Sequence, residues 1–70
     1  MTPKKGSVRN NIRELRTARG LSQGELADLV GATRQTINAI EQEKYAPTLE
    51  LAFRIAIAFK VGFEEVWQFK

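Results

Sequence analysis

The stretch Ser22–Glu41, SQGELADLVGATRQTINAIE, decides how the rest of the 70-residue chain is read. Its apolar residues recur at helical spacing on both sides of one glycine, with Leu26, Ala27, Leu29 and Val30 before Gly31 and with Ile37 and Ile40 after it. That periodicity predicts two short helices joined by a tight turn. Gly31 is the hinge, because a turn that needs positive φ is costly for any residue with a Cβ. The small Ala27 lets the second helix cross close above the first. Ser22 followed by Glu25 forms a capping box that starts the first helix, and Thr33 is placed to cap the second.

Gln23, Ala27, Gly31, Ile37 and Ile40 fall at the positions of the helix-turn-helix DNA-binding motif. Here the chain resembles the Cro and phage-repressor-like, or Xre-like, family of bacterial and phage transcription regulators. The resemblance runs from about Asn11 to Val66, through RELRTARGLSQGELADLVG, TRQTINAIE and KYAPTLELAFRIA. Several separate segments make a strong signal where a lone Ala-Gly-Ile spacing would be weak. The resemblance also implies that Arg16, on the helix before this stretch, pairs with Glu41 and locks the first helix to the end of the third. Arg16 is then structural and not a DNA contact.

In such a protein the third helix, from Thr33 to about Gln42, is the recognition helix. Ile37 and Ile40 anchor its inner face, so Arg34, Gln35 and Asn38 lie on the exposed face near its N-terminal end, flanked by Thr36 and Ala39. A helix in the major groove offers its first turns to base edges. Arginine can bind guanine O6 and N7 together, and glutamine or asparagine can bind adenine N6 and N7. Arg34, Gln35 and Asn38 are therefore the expected base readers. Gln23 sits at a helix N-terminus, where backbone N–H groups favour a phosphate, and its side chain can donate to the same group. Thr33, Thr36, Lys44 and Tyr45 complete the expected phosphate contacts. Tyr45 has an alternative, packing against Pro47 and the core. A polar solvated face is the general alternative for any such helix, but here no carboxylate precedes Glu41.

Composition narrows the function from the other side. Cysteine and histidine are both absent, which removes disulfides, the usual zinc ligands, the usual general base and the paired nucleophiles of hydrolases. No enzyme, catalytic residue, metal, cofactor or small-molecule ligand is expected. The longest uninterrupted apolar run is Ile55 to Phe59, far short of the roughly 20 residues of a membrane span. With no secretory signal, a soluble cytoplasmic protein without membrane association is expected. Net charge is +3, divided into +5 over residues 1–20 and −2 over the remainder. A basic end on a small domain suits a polyanionic partner, or else is a solvated tail.

Outward from the motif, residues 1–10 form a basic, flexible leader, and residues 11–70 the helix-turn-helix domain with a C-terminal dimerisation element. Lys4 and Lys5 in the leader either follow a phosphate backbone or serve only solubility. Asn11-x-x-Glu14 offers a capping box for the first helix, which Gly20 ends. After the third helix the chain departs from its family, with Gln42-Glu43 where relatives commonly carry Asn-Gly; the helix then runs longer or its end is strained. Glu43 also sets a negative charge where the loop would approach DNA. Thr48 caps the fourth helix, LELAFRIAIAFK, which Gly62 closes. Leu51, Ala52, Ile55, Ala56 and Phe59 share one face, and Leu49, Phe53 and Ile57 widen it beyond what one small core needs. A partner subunit is the expected cover, with Phe53, Ile57, Phe63, Val66, Trp67 and Phe69 at the dimer interface. The aromatic residues could equally finish a monomer core. Trp67 to Lys70 alternates apolar and polar, so the end is either helix or a short strand that Val8 could pair.

The expected fold is all-α, a five-helix bundle containing a helix-turn-helix, with or without short terminal strands. The expected function is sequence-specific binding of double-stranded DNA by a homodimeric regulator on a palindromic operator, most simply a repressor. An antitoxin or a restriction-modification controller would look alike. So, on this evidence, would a helical protein-interaction module that does not read DNA.

Overall fold

The computed structural model describes residues 8–69. The leader lysines Lys4 and Lys5, together with Lys70, lie outside the described residues. In chain order the elements are β1 (Val8–Asn10), α1 (Ile12–Ala18), α2 (Gln23–Val30), α3 (Arg34–Glu41), α4 (Leu49–Phe59), α5 (Phe63–Val66) and β2 (Trp67–Phe69). Five helices and a two-stranded antiparallel ribbon match the expected architecture. The ribbon joins the two ends of the domain, with Val8 opposite Phe69, Arg9 opposite Gln68 and Asn10 opposite Trp67. Val8–Asn10, counted with the leader on composition, thus belong to the folded body.

Helix starts follow the expected caps at Ser22, Thr33 and Thr48 and depart from them at α1. Ser22 accepts from the Glu25 N–H while the Glu25 carboxylate accepts from the Ser22 N–H, the full reciprocal box. Thr48 accepts from the Leu51 N–H and so starts α4. At α1 the expected Asn11 box does not form. Asn10 takes that role, its Oδ1 accepting from the Ile12 N–H and its Nδ2 donating to the Ile40 carbonyl. The Asn11 amide turns away to the Glu65 carbonyl, reinforcing the junction with α5.

Four helix ends use a left-handed residue, Gly20, Gly31, Glu43 and Lys60, and only two of these are glycine. Gly20 closes α1 at φ 67. Glu43 closes α3 at φ 61 with the same pair of bonds a glycine would make, Glu43 N–H to the Ile40 carbonyl and Lys44 N–H to that of Ala39. The helix therefore does not run on; it ends in a strained conformation. Lys60, not Gly62, closes α4 at φ 60, and Gly62 instead precedes α5 at φ −70.

Ile12, Leu26, Val30, Ile37, Ile40, Ile55, Phe59 and Val66 are buried between the helices. Each such side chain contributes about 1.5–3 kcal/mol through burial. Trp67 is buried with them and its indole N–H donates to the Ala52 carbonyl at 3.1 Å. Val66 and Trp67, expected at a subunit interface, are thus spent on the monomer core, Val66 being 0% and Trp67 6% exposed. The opposite side of α4 is bare: Leu49, Phe53 and Ile57 are 68%, 48% and 71% exposed. Among the described residues no helix is long and apolar enough to cross a membrane.

Candidate nucleic-acid interface

The angle between α2 and α3 rests on the turn at Gly31, where φ is 75 and the Ala32 N–H returns to the Ala27 carbonyl. A Cβ at Gly31 would be strained by that φ and would come within 3.4 Å of Arg54 Nη1. Leu26, Ala27 and Val30 on α2 face Ile37 and Ile40 on α3, and all five are buried. With the apolar side of α3 so fixed, Arg34, Gln35 and Asn38 point outward and are exposed. Together with Gln23 they line one recess of about 280 Å³. The structure thus brings the first residue of α2 and the three expected readers of α3 into a single concave surface.

Polar chemistry on this surface is organised from behind. Arg16 donates through Nε to Glu41 Oε2 at 2.8 Å, through Nη2 to Glu41 Oε1 at 3.1 Å, and through Nη1 to the Leu21 carbonyl at 3.0 Å. The pair expected from the family resemblance is therefore present, in its bidentate form, with side-chain exposures of 14% and 6%. The Glu41 hydrogen bond raises the Arg16 pKa above its ordinary value, so the guanidinium stays charged. The other ion pair among the described residues is Arg54–Glu50, on the surface of α4, which leaves the Arg34 guanidinium uncommitted.

The amide of Gln23 is drawn into the same network. Its Nε2 donates to Glu41 Oε1 at 3.1 Å and to Asn38 Oδ1 at 3.2 Å. Both of its protons are occupied, which leaves the backbone N–H groups of Gln23 and Gly24 as the open donors at the start of α2. Gln42, one helical turn beyond Asn38, donates a second bond to Asn38 Oδ1 at 3.1 Å. Its part was open to the sequence, since residues at i and i+4 meet on a helix. The Gln23 link crosses the turn and carries no local signal.

Thr33 accepts from the Thr36 N–H at 3.1 Å, and the two hydroxyls lie 3.0 Å apart. Whichever of them donates, one hydroxyl proton is left to offer outward. Lys44 and Tyr45 follow in the exposed loop after the strained end of α3, Tyr45 being 48% exposed and so not packed into the core. Of the residues expected at a dimer interface, Phe53, Ile57 and Phe69 are exposed, and Phe63 is half-buried against the Phe53 ring at 4.8 Å between centroids. Val8 and Leu49, outside that expectation, join Phe63 and Phe69 along an open apolar groove of about 370 Å³. The groove and the reading recess share no residue.

A pair of helices turning on Gly31, buried on one side and offering arginine and amides on the other, defines a helix-turn-helix protein. Residues 12–66 match the helix-turn-helix family model, and the chain belongs to that family, the Cro and phage-repressor-like or Xre-like transcriptional regulators. It is 45% identical over 60 residues to the uncharacterized HTH-type transcriptional regulator YgzD of Bacillus subtilis, covering 86% of this chain and 91% of that one. It is 57% identical over 51 residues to an uncharacterized HTH-type transcriptional regulator of Methanothermobacter thermautotrophicus, covering 73% and 74%. Among solved structures it superposes on the restriction-modification controller protein C.AhdI of Aeromonas hydrophila with a TM-score of 0.73 at 37% identity, over 77% of this chain and 82% of that one.

Proposed function

We propose that the protein is a transcription regulator that inserts α3 into the major groove of double-stranded DNA and acts as a homodimer on a palindromic operator, repressing by occupancy. The observation that carries this is the outward face of α3: Arg34, Gln35 and Asn38 are exposed, and the one carboxylate on the helix, Glu41, is neutralised by Arg16. Arg34 and Gln35 read base edges, while backbone N–H groups at the start of α2, a Thr33 or Thr36 hydroxyl, Lys44 and Tyr45 hold phosphates. The exposed Leu49, Phe53, Ile57 and Phe69 support dimerisation through the α4 side, away from the reading recess.

Selection of bound sequences from a random duplex pool, followed by affinity measurements across salt, tests the proposal. The expected result is a palindrome whose half-sites lie about 34–36 Å apart, bound with an affinity that falls steeply as salt rises. Binding without sequence enrichment, or without salt dependence, would refute it. The likeness to C.AhdI at 37% identity favours one narrower variant, a controller of restriction-modification genes. Operators recovered upstream of such genes would support that variant, and operators elsewhere would exclude it.

A further inference from the structure

We infer that Asn38 is held as a donor-only reader, selecting guanine or thymine over adenine at its base position. This rests on the DNA-reading function proposed above. An amide side chain ordinarily offers both a carbonyl and an NH₂ group, which is why asparagine suits the mixed acceptor and donor edge of adenine. Here the orientation of the amide is imposed. Arg16 can only donate and the Glu41 carboxylate can only accept, so Gln23 has to turn its NH₂ end toward Glu41 Oε1, 3.1 Å away. The second proton on that nitrogen points at Asn38 and is met by Oδ1 at 3.2 Å. Gln42 Nε2 meets the same oxygen from the other side at 3.1 Å. A carbonyl oxygen has two lone pairs, and both are taken.

What Asn38 presents to the recess is then its Nδ2 group alone. Guanine offers N7 and O6 as acceptors and thymine offers O4, whereas adenine places its N6 amino group, a donor, beside N7. Two facing donors leave one unpaired, and a buried unpaired donor is costly. The carboxylate at the rear thereby sets the hydrogen-bond polarity at the front, through Gln23, across the turn between α2 and α3. Gln35, which has no such partner among the described hydrogen bonds, keeps both ends of its amide for adenine.

Random-pool selection on three forms of the full chain tests this: the natural protein, Asn38→Ala, and Gln23→Ala combined with Gln42→Ala, each checked for folding by circular dichroism. Asn38→Ala identifies the position, as the one in each half-site where preference flattens. At that position the natural protein is expected to favour guanine or thymine over adenine by roughly 10-fold or more, the scale of one specific base contact. The double variant frees Oδ1 and is expected to lose that preference or reverse it toward adenine, with preferences at the other positions kept. Adenine preferred by the natural protein at the Asn38 position would overturn the inference, as would guanine or thymine preference surviving in the double variant, or no position flattening in Asn38→Ala. All three leave DNA reading intact. No enrichment of any sequence by the natural protein would instead overturn DNA reading, and this inference with it.

Discussion

Replacing Arg16 or Glu41 by alanine should reveal an ion pair worth several times an ordinary surface pair. The comparison is internal to the molecule. Arg16–Glu41 and Arg54–Glu50 have nearly the same closest distance, 2.8 and 2.7 Å, but side-chain exposures of 14% and 6% against 54% and 74%. A solvent-exposed i,i+4 pair contributes about 0.3–0.5 kcal/mol, whereas removing one partner of a buried pair costs about 3–5 kcal/mol. Arg16 is not fully buried, so the lower end applies, about 3 kcal/mol for Arg16→Ala, or a fall in Tm of roughly 12–24 °C in a domain of this size. The two single losses should be unequal. Without Arg16 the nearly buried Glu41 keeps Gln23 as its remaining donor, whereas without Glu41 the more exposed Arg16 keeps the Leu21 carbonyl. Urea unfolding followed by the fluorescence of Trp67, the single and buried tryptophan, measures each variant and the double mutant. The expected coupling energy is about 2 kcal/mol, within the range for directly contacting charged pairs. A coupling no larger than that of Arg54→Ala with Glu50→Ala would refute the burial argument, and equal single losses would refute the asymmetry.

Glu43→Gly should raise stability by about 1 kcal/mol and Tm by roughly 4–8 °C, because glycine relieves a left-handed conformation that costs a side-chain residue about 1–2 kcal/mol; unchanged or lower stability in the same unfolding assay would contradict the strain. Arg34→Ala should relax preference at one base position in each half-site by about 1–3 kcal/mol, as measured by competition among singly substituted operators, and a uniform loss on all sequences would make Arg34 a phosphate ligand instead. Phe53→Glu with Ile57→Glu should give a folded monomer in sedimentation with little change in unfolding midpoint, since both side chains are largely exposed; an unchanged oligomer would remove α4 from the interface.

Features governed by local rules were legible in the sequence, and those governed by distant contacts were not, apart from the Arg16–Glu41 pair that the family resemblance implied. Ser22 and Thr48 cap their helices because a cap needs only the next three residues, and Gly31 turns because glycine adopts positive φ without a Cβ penalty. Asn11 failed as a cap although its local pattern was right. Its amide has a stronger claim on it from Glu65, 54 residues away, and Asn10 was free to serve instead. Trp67 and Val66 look like interface residues by composition, but both are buried in the monomer, Trp67 opposite Asn10 in the ribbon and Val66 at the end of α5, and that register cannot be read from either end alone. At Glu43 the bonds that close α3 overrule the preference for glycine, so the helix stops there and takes up strain to do so. Of the reading surface, the exposure of Arg34, Gln35 and Asn38 followed from the two isoleucines behind them. The engagement of Gln23 did not, because it depends on how closely α2 and α3 approach across the turn.

A carboxylate at the end of a DNA-facing helix is at first sight a defect, since it repels the backbone it approaches. Glu41 avoids this by spending its charge internally: Arg16 neutralises it from α1, and its remaining acceptor capacity holds Gln23. The charge that would oppose binding becomes the fixed point that orients two amides, and a neutral residue there could not do so, because only an acceptor with no donor of its own dictates which end of Gln23 faces it. The same contact joins α1, α2 and α3, so the stability of the domain and the orientation of its reading side chains have one physical origin. Arg34 lies outside this network and has no ion-pair partner among the described residues, whereas the proposed reading by Asn38 would be set before any DNA arrives.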